Sequence, residues 1–328
     1  MRCNQQRQYR VQVPGLSFSR VHRIFNDFLF NWECDMKSHL LKSLIAKVAI
    51  STVVAMSAGT GTSVAAEPIK MAVTNWADVL AVANVAKYVL ETKLQQPVKF
   101  VQADIGIQYQ GVARGDLDIM VGGWLPVTHA AYYARYKNDM DDVGIIYTGG
   151  KNGWAVPAYI PESELSSISD LNKPDVKARL NGTIDGIEPG GGLMQASEKT
   201  IKGYDLNGYN LQSSSEAGML AGVSRAYQSK QWVVATVWSP HWLFQKWQMR
   251  YLKDPKGTLG SEEQVHAFAS KQFASRYPRA DVFFKHFKLT LADVESIEYE
   301  GNAKNDYASA AKKFVDAHPD KLKDWLQQ

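Results

Sequence analysis

Apolar residues after residue 66 recur with two different periods, and the two periods alternate along the chain. "IKMAV" at 69–73 has alternating apolar positions, which predict a β-strand. "DVLAVANVAKYVLETKL" then has apolar residues at helical spacing. "PVKFVQA" and "DIMVGGW" predict two further strands, with the helix "GIQYQGVARGD" between them. We expect the third strand to end at Gly122–Gly123. This alternation predicts parallel β-α-β units with a covered sheet.

A second unit of the same kind begins at about residue 150. Its predicted strands are "WAVPAYI", "NGTIDGI", "LNGYNLQSS" and "WVVATVW". The segments between them predict a turn with a short helix in "SSISDLNKP" and helices in "GGLMQASEKTIKGY" and "EAGMLAGVSRAYQSK". Residues 261–328 show a helical pattern without a strand of comparable strength. The chain is therefore predicted to hold two α/β units in series, as its length of 328 residues suggests.

The first 66 residues differ from the rest in charge and in pattern. The whole chain carries a net charge of +4, but residues 1–66 hold eight Lys or Arg against three acidic residues. The remainder thus has a net charge of −1, which lacks the basic footprint of a nucleic-acid-binding protein. Three lysines, an apolar run "VAISTVVAMSA" and small residues before Glu67 predict a secretory signal peptide at 36–66.

Residues 1–35 fit no part of a signal peptide, so we interpret them as an upstream extension before a true start at Met36. The alternative for the apolar run is a membrane anchor. Residues 48–66 carry no charge, but Ser, Thr and Gly dilute their apolar character, which disfavours a transmembrane helix.

Cysteine usage and missing motifs limit the chemistry. Cys3 and Cys34 are the two cysteines and both precede the predicted cleavage point. The mature chain is therefore expected to have no disulfide and no lipid-carrying cysteine, and we expect a free periplasmic protein. The sequence contains neither G-x-S-x-G nor H-E-x-x-H. We expect no catalytic residue, no metal and no cofactor.

Three tryptophans fall where predicted strands end. Trp76, Trp124 and Trp238 stand in "TNWADV", "GGWLP" and "TVWSPHW". A single tryptophan is more often a core residue, but ligands of parallel sheets bind beyond the carboxyl ends of the strands. Several aromatic faces without a charged partner suit a quaternary ammonium ion, which has no N–H to donate. The three residues together predict such a site.

Two further features could hold an anion. In "GIEPGGGLMQAS", residues Gly191, Gly192 and Leu193 would present free backbone N–H groups at a helix N-terminus, which suits a carboxylate or a phosphate. The alternative is a glycine turn between a strand and a helix. His129 is either a structural histidine or a donor to the anionic end of a ligand, and the residues alone leave both open. We interpret His241 as structural.

Five segments together resemble a known family. "NWAD", "GGWLPVTH", "GIEPGGGLM", "WSPHWLFQKW" and "YLKDPKG" resemble the glycine betaine-binding proteins of ABC importers, which are related to choline- and carnitine-binding proteins. The resemblance runs from about Ile69 to Asp316. It implies an α/β, two-lobed class II periplasmic binding protein (Venus-flytrap) fold with the ligand cleft between the lobes. Lobe 1 would comprise 67–150, lobe 2 would comprise 151–250, and 251–328 would return to lobe 1 with a helical C-terminus.

The resemblance also implies roles for individual residues. Trp76, Trp124 and Trp238 would surround a trimethylammonium group, and His129 with the amides of about Gly192 and Leu193 would hold the carboxylate. The choline binders lack this histidine and carry an asparagine in the glycine loop, where this chain has glycine from 190 to 192.

Two other positions bear on the comparison with the choline binders. Asp78 matches an aspartate that the choline binders use two residues after the first tryptophan. Trp154 occupies the place of their tyrosine and would close the aromatic box. The choline interpretation is therefore weakened by the histidine but supported by the aspartate.

The sequence thus predicts an extracytoplasmic, monomeric substrate-binding protein and not an enzyme. It would capture glycine betaine or a close trimethylammonium relative and deliver it to the permease of an ABC importer, in the service of osmoprotection or catabolic uptake. The alternatives are a choline- or carnitine-binding protein, an enzyme that uses carboxylates of the cleft, and a secreted sensor module.

Overall fold

The computed structural model of the protein describes residues 66–327. The proposed upstream extension and the proposed signal peptide, up to residue 65, lie outside the described residues. No helix between residues 66 and 327 is long and apolar enough to cross a membrane.

The first three strands form a parallel sheet, as the alternating pattern predicts. β1 (Ile69–Val73) lies between β2 (Val98–Gln102) and β3 (Ile119–Leu125) and is parallel to both. Helices α1 (Ala77–Lys93) and α2 (Ile105–Arg114) connect the three strands. The Ala and Val positions of α1 are buried, because close packing on a sheet requires small apolar side chains there. A short helix α3 (Ala130–Tyr136) follows β3.

Two long antiparallel strands complete this sheet and connect it to a second one. β4 (Met140–Pro157) pairs with β9 (Glu263–Ser270) over 140–150, and β9 also pairs with β3. The remaining residues of β4, from 151 to 157, pair with β7 (Ala235–Ser239) and β8 (Met249–Tyr251). β4 is therefore shared by both sheets.

The second sheet carries its own helices. β5 (Thr183–Asp185) is parallel to β6 (Asn210–Gln212) and to β7, and the overall strand order is β2-β1-β3-β9-β4-β7-β5-β6. The helices of this part are a 3₁₀ helix (Ile168–Asn172), α4 (Pro174–Arg179), α5 (Gly192–Gly203), α6 (Glu216–Ser229) and α7 (Leu243–Lys246).

The C-terminal helices return to the first sheet. They are α8 (Phe273–Arg276), α9 (Pro278–His286), α10 (Leu291–Lys304), α11 (Tyr307–Ala317) and α12 (Pro319–Leu326). Both α10 and α11 pack against α1. We refer to the sheet β2-β1-β3-β9 with the first part of β4 and these helices as the first lobe. The second lobe comprises β5 to β8, the rest of β4 and helices α4 to α7. The α/β, two-lobed fold class is thereby established.

The prediction of an entirely helical segment after residue 261 is wrong, because β9 lies within it. Seven of the eight residues of β9 are buried, so the strand is covered on both faces and its sequence "EQVHAFAS" lacks the alternation that marks a half-exposed strand. The first part of β4 was missed for another reason. Its pairing with β9 shifts register at three places, and each irregularity breaks the two-residue period.

The prediction that β3 ends at Gly122–Gly123 is also wrong. β3 continues through Trp124 to Leu125, so the glycines lie inside the strand. A Cβ at Gly123 would lie 2.2 Å from the Phe268 ring of β9, and a Cβ at Gly122 would lie 2.8 Å from Val79. The glycines therefore allow neighbouring side chains to pack directly on the strand backbone.

We predict that Gly123→Ala destabilises the protein, because the added methyl group has to displace Phe268 in a buried sheet. Overpacking of this kind costs about 1–3 kcal/mol in the free energy of unfolding, which urea denaturation of both proteins would measure. Gly190→Ala is the matched control, because a Cβ at Gly190 meets no atom within 4 Å. Equal stability of Gly123→Ala and wild type would contradict the packing described here.

Candidate ligand-binding site

A small cavity, with a volume of about 20 Å³, lies between the two lobes. Both lobes contribute to its wall, and most of the wall residues are buried. They are Trp76, Asp78, Trp124, Thr128, His129, Asn152, Ile187, Gly192, Leu193 and Trp238. The structure therefore brings together seven of the nine residues that the sequence analysis selected.

Three of these residues are tryptophans held by different elements. Trp76 is the N-cap of α1, Trp124 lies in β3, and Trp238 lies in β7. Their exposed fractions are only 7%, 4% and 4%. The ring centroids of Trp76 and Trp238 are 6.3 Å apart and their planes are inclined by 56°. Two lobes thus supply aromatic walls to one small cavity.

Hydrogen bonds fix two of the indole rings by their edges. Trp76 Nε1 donates to Glu188 Oε2 at 2.9 Å, and Trp124 Nε1 donates to Asp78 Oδ2 at 3.3 Å. Because the N–H group lies in the ring plane, these bonds leave the ring faces free for a ligand. Trp238 Nε1 is buried without a partner in the described part of the chain.

Asp78 supports the cage and also reaches the cavity. Its Oδ2 accepts hydrogen bonds from Trp124 Nε1 and from the Tyr147 hydroxyl, the latter at 3.1 Å. Its Oδ1 has no partner among residues 66–327. Burial, and secondarily the nearby Glu216, raise the pKa of Asp78 to about 6. A cation in the cavity would stabilise the ionised form of this carboxyl.

His129 also lines the cavity, and it is neutral. Its Nδ1 accepts a hydrogen bond from the backbone N–H of Trp124 at 3.0 Å, so the proton of the neutral imidazole is on Nε2. Burial lowers the pKa of His129 to about 3. The residue therefore offers one N–H donor, without a positive charge, over the pH range in which proteins work.

The N-terminus of α5 lies beside His129. A Cβ at Gly192 would lie 2.3 Å from the Thr128 carbonyl oxygen and 2.9 Å from His129 Cδ2. Only glycine allows the loop of the second lobe to approach the first lobe so closely. The N–H groups of Gly192 and Leu193 belong to the first turn of α5 and have no intrahelical acceptor. His129, Gly192 and Leu193 all line the cavity, so these N–H groups and His129 Nε2 form one group of donors.

Two selected residues lie outside this cavity. Trp154 is fully buried on β4, and its Nε1 donates to Ser197 Oγ at 2.9 Å. It thus packs inside the second lobe and does not form a wall. Gly191 is the N-cap of α5 and lines a neighbouring open groove. His241, which we interpreted as structural, is fully buried and packs against Trp238 with ring centroids 4.8 Å apart.

A polar network that the sequence did not reveal fixes the loop between Trp124 and His129. Glu263 Oε2 accepts from the backbone N–H groups of Val127 and Thr128 at 2.9 and 2.8 Å. Its Oε1 accepts from the Thr128 hydroxyl and from Asn152 Nδ2. Asn152 stands on the shared strand β4, so the network attaches the His129 loop to the strand that joins the lobes. No motif identifies Glu263, because its partners are distant in sequence.

The fold and the cavity define a two-lobed α/β protein of the substrate-binding class, in which a small molecule is enclosed between the lobes. The chain belongs to the family of substrate-binding domains of ABC-type glycine betaine transport systems, whose family model matches residues 67–317. The family consists of transport proteins and not of enzymes.

One curated relative is a transport binding protein of the same kind. The glycine betaine/carnitine transport binding protein GbuC of Listeria monocytogenes is 36% identical over 155 residues, which are 47% of this chain and 52% of that protein. The match thus spans about half the length of this curated relative.

Two solved structures share the fold. Lactococcal OpuAC, in a closed conformation complexed with glycine betaine, is 32% identical with a TM-score of 0.73, over 79% of this chain and 99% of that one. An ABC-transporter choline binding protein in complex with choline is 25% identical with a TM-score of 0.73, over 79% of this chain and 91% of that one.

We predict that Gly192→Ala weakens ligand binding, because its methyl group would collide with the Thr128 carbonyl when the lobes are closed. An overpacking cost of about 1–3 kcal/mol corresponds to a roughly 5- to 150-fold increase in Kd. Isothermal titration would measure the change. Gly190→Ala serves again as the control and should bind like wild type. Unchanged affinity in Gly192→Ala would show that this contact does not limit binding.

Proposed function

We propose that this protein captures glycine betaine, or a close trimethylammonium relative, and delivers it to the permease of an ABC importer. Trp76, Trp124 and Trp238 bind the quaternary ammonium group. His129 Nε2 and the backbone N–H groups of Gly192 and Leu193 bind the carboxylate. The observation that carries the proposal is the neutral donor group of His129 and α5 in the same small cavity as the tryptophan cage.

The cation end is supported by the composition of the wall. None of the residues that line the cavity is Lys or Arg, so nothing there repels a positive charge. A desolvated cation–π contact contributes about 2 kcal/mol. Three such contacts supply most of the roughly 8 kcal/mol that a micromolar Kd requires. The carboxyl of Asp78 adds an electrostatic attraction at the edge of the cage.

The anion end is supported by uncharged donors. A carboxylate accepts several hydrogen bonds, and the N-terminus of α5 also carries the positive end of the helix dipole. Because His129 is neutral, the site has no fixed cation that would bind an inorganic anion by charge alone. A zwitterion satisfies both ends at once, and the similar lactococcal protein is complexed with such a molecule, glycine betaine.

Choline is the second candidate, and one observation favours it. Asp78 lines the cavity and its Oδ1 has no partner among the described residues, and choline has a net positive charge that a carboxylate would balance. The choline complex of a 25% identical protein shows that this fold accommodates choline. Titration with glycine betaine, choline, carnitine and proline betaine tests the choice. Tightest binding to choline, with glycine betaine silent, would overturn it.

Location and mode of action follow from the same family. Substrate-binding proteins of ABC importers act outside the cytoplasmic membrane, and we propose the same for this protein, as a monomer. The buried cavity wall means that the lobes must separate for the ligand to enter. Ligand contacts from both lobes then favour the closed state, which presents a defined surface to the permease.

We predict that Trp124→Ala lowers the affinity for glycine betaine by about 2 kcal/mol or more, roughly a 30-fold increase in Kd. The reason is the loss of one aromatic face of the cage. Trp232→Ala is a suitable control, because Trp232 is half-buried outside the cavity and stacks with Arg179 instead. Isothermal titration measures both variants. A Kd within twofold of wild type would remove Trp124 from the site.

We predict that His129→Ala separates the two candidate ligands. Loss of a hydrogen bond to a charged group costs about 1.5–3 kcal/mol, so the Kd for glycine betaine should rise roughly 10- to 150-fold. Choline has no carboxylate and should bind within about threefold of wild type. Because His129 has a pKa of about 3, the ratio of wild-type to variant affinity should be equal at pH 5.5 and pH 7.5. A ratio that grows at pH 5.5 would mean that His129 is charged there.

A further inference from the structure

Two buried glutamates behind the cavity each accept a backbone N–H group from the opposite lobe. Glu216 of α6, in the second lobe, accepts from Ala77 N through Oε2 at 3.0 Å. Glu298 of α10, in the first lobe, accepts from Trp242 N through Oε2 at 2.7 Å. Both side chains are buried, and neither lines the cavity.

The two bonds are reciprocal, since each lobe supplies one carboxyl acceptor and one backbone N–H donor. Both lie next to the tryptophans of the cage. Ala77 is the first residue of α1 and follows Trp76, whereas Trp242 precedes α7 and follows the strand that carries Trp238. The first N–H groups of a helix have no intrahelical acceptor, and Trp76 supplies no side-chain cap. Glu216 therefore caps α1 from the other lobe, and its negative charge is favourable at that helix end.

His241 connects Glu216 to the cage. Its Nδ1 accepts from the backbone N–H of Leu243 at 3.1 Å, so its proton is on Nε2. That nitrogen lies 3.2 Å from Glu216 Oε1, and the imidazole packs on Trp238. Oε2 of Glu216 thus accepts a hydrogen bond, whereas Oε1 lies close to the His241 N–H group, which makes no hydrogen bond in the described part of the chain. Glu298 differs, because its Oε1 is buried without a partner in the described chain.

Ala77 and Glu216 belong to different lobes, as do Trp242 and Glu298, so a movement that draws these segments apart breaks both bonds. The cavity wall is buried, so a ligand enters only after the lobes move apart. In that state the N–H groups of Ala77 and Trp242 and the two carboxyl groups are hydrated. The bonds therefore contribute to the closed conformation and not to either lobe alone, as does the bond from Trp76 Nε1 to Glu188 Oε2.

We propose that Glu216 and Glu298 form a reciprocal latch that sets the equilibrium between the open and closed conformations. Both are positioning residues, since they hold the segments that carry Trp76 and Trp238 and do not touch the ligand. This inference rests on the proposed function in so far as closure traps the ligand. The apparent Kd is the intrinsic Kd divided by the fraction of competent protein, so the latch determines affinity without contributing a ligand contact.

The two glutamates differ in the chemistry that they require. Burial and the neighbouring Asp78 and Glu216 raise the pKa of Glu298 well above its usual range, which matches a neutral acid that needs one acceptor oxygen. Glutamine reproduces that. At Glu216, Oε2 accepts from Ala77 N and Oε1 lies 3.2 Å from His241 Nε2, so the NH₂ group of a glutamine would lie against an N–H group. Glu298→Gln should therefore preserve the latch, and Glu216→Gln should not.

The test compares Glu298→Ala, Glu298→Gln, Glu216→Ala and Glu216→Gln with wild type. Glu295→Ala is the control on the same helix, because Glu295 makes no side-chain hydrogen bond in the described part of the chain. We expect about a tenfold or larger rise in Kd for glycine betaine, carried mainly by faster dissociation in stopped-flow tryptophan fluorescence, in both alanine variants and in Glu216→Gln. Glu298→Gln and Glu295→Ala should resemble wild type.

Small-angle X-ray scattering of the ligand-free proteins separates this inference from the proposed ligand. We expect a larger radius of gyration, from a greater open fraction, in the three weakened variants. Unchanged scattering and unchanged dissociation in folded alanine variants would overturn the latch. An equal loss in Glu298→Gln and Glu298→Ala would also overturn it. Failure of wild type to bind any trimethylammonium compound would reject the proposed function, while the scattering of the ligand-free variants would still decide the latch.

Discussion

The close approach of Gly192 to the Thr128 carbonyl is the contact on which the site depends. It places the N-terminus of α5, from the second lobe, against the loop of His129, from the first. A side chain of any size at Gly192 would separate the two groups of donors. The same approach closes the cavity around the three tryptophans, because Trp238 belongs to the second lobe and Trp76 and Trp124 to the first. Shape and chemistry of the site are thus consequences of one backbone contact.

Burial then determines the charge of each group in and around the cavity. Desolvation keeps His129 neutral and holds the pKa of Asp78 near 6. Glu216 and Glu298 accept backbone N–H groups, so they hold elements in place, and neither pairs with a lysine or arginine among residues 66–327. An aromatic cage with buried carboxyl groups nearby and uncharged hydrogen-bond donors is suited to a zwitterionic ligand. In the closed conformation these polar groups are oriented by hydrogen bonds to the surrounding chain.

Sequence reasoning succeeded where local pattern and position coincide. The strands β1, β2 and β5 to β7 and the helices between them follow from hydrophobic period, and residues at strand ends led to Trp76, Trp124 and Trp238. It failed where strand pairing and burial in the folded protein remove the alternation of apolar and polar residues that marks a strand. β9 is buried on both faces, the first half of β4 is irregular, and the glycines before Trp124 lie inside β3 because Phe268 packs on them. Trp154 is aromatic like the cage residues, but its position on β4 places its indole N–H against Ser197 inside the second lobe.

The sequence by itself determined the α/β class, the family and the residues that bear the chemistry, because these depend on local period and on short motifs. Only the tertiary structure decided which of those residues share one cavity, which nitrogen of His129 carries its proton, and which carboxyl groups bridge the lobes. Those properties arise from contacts between residues far apart in the chain: Glu263 meets Thr128 and Asn152, Glu216 meets Ala77, and Glu298 meets Trp242. No local pattern records such contacts, since each partner is an ordinary residue in its own segment.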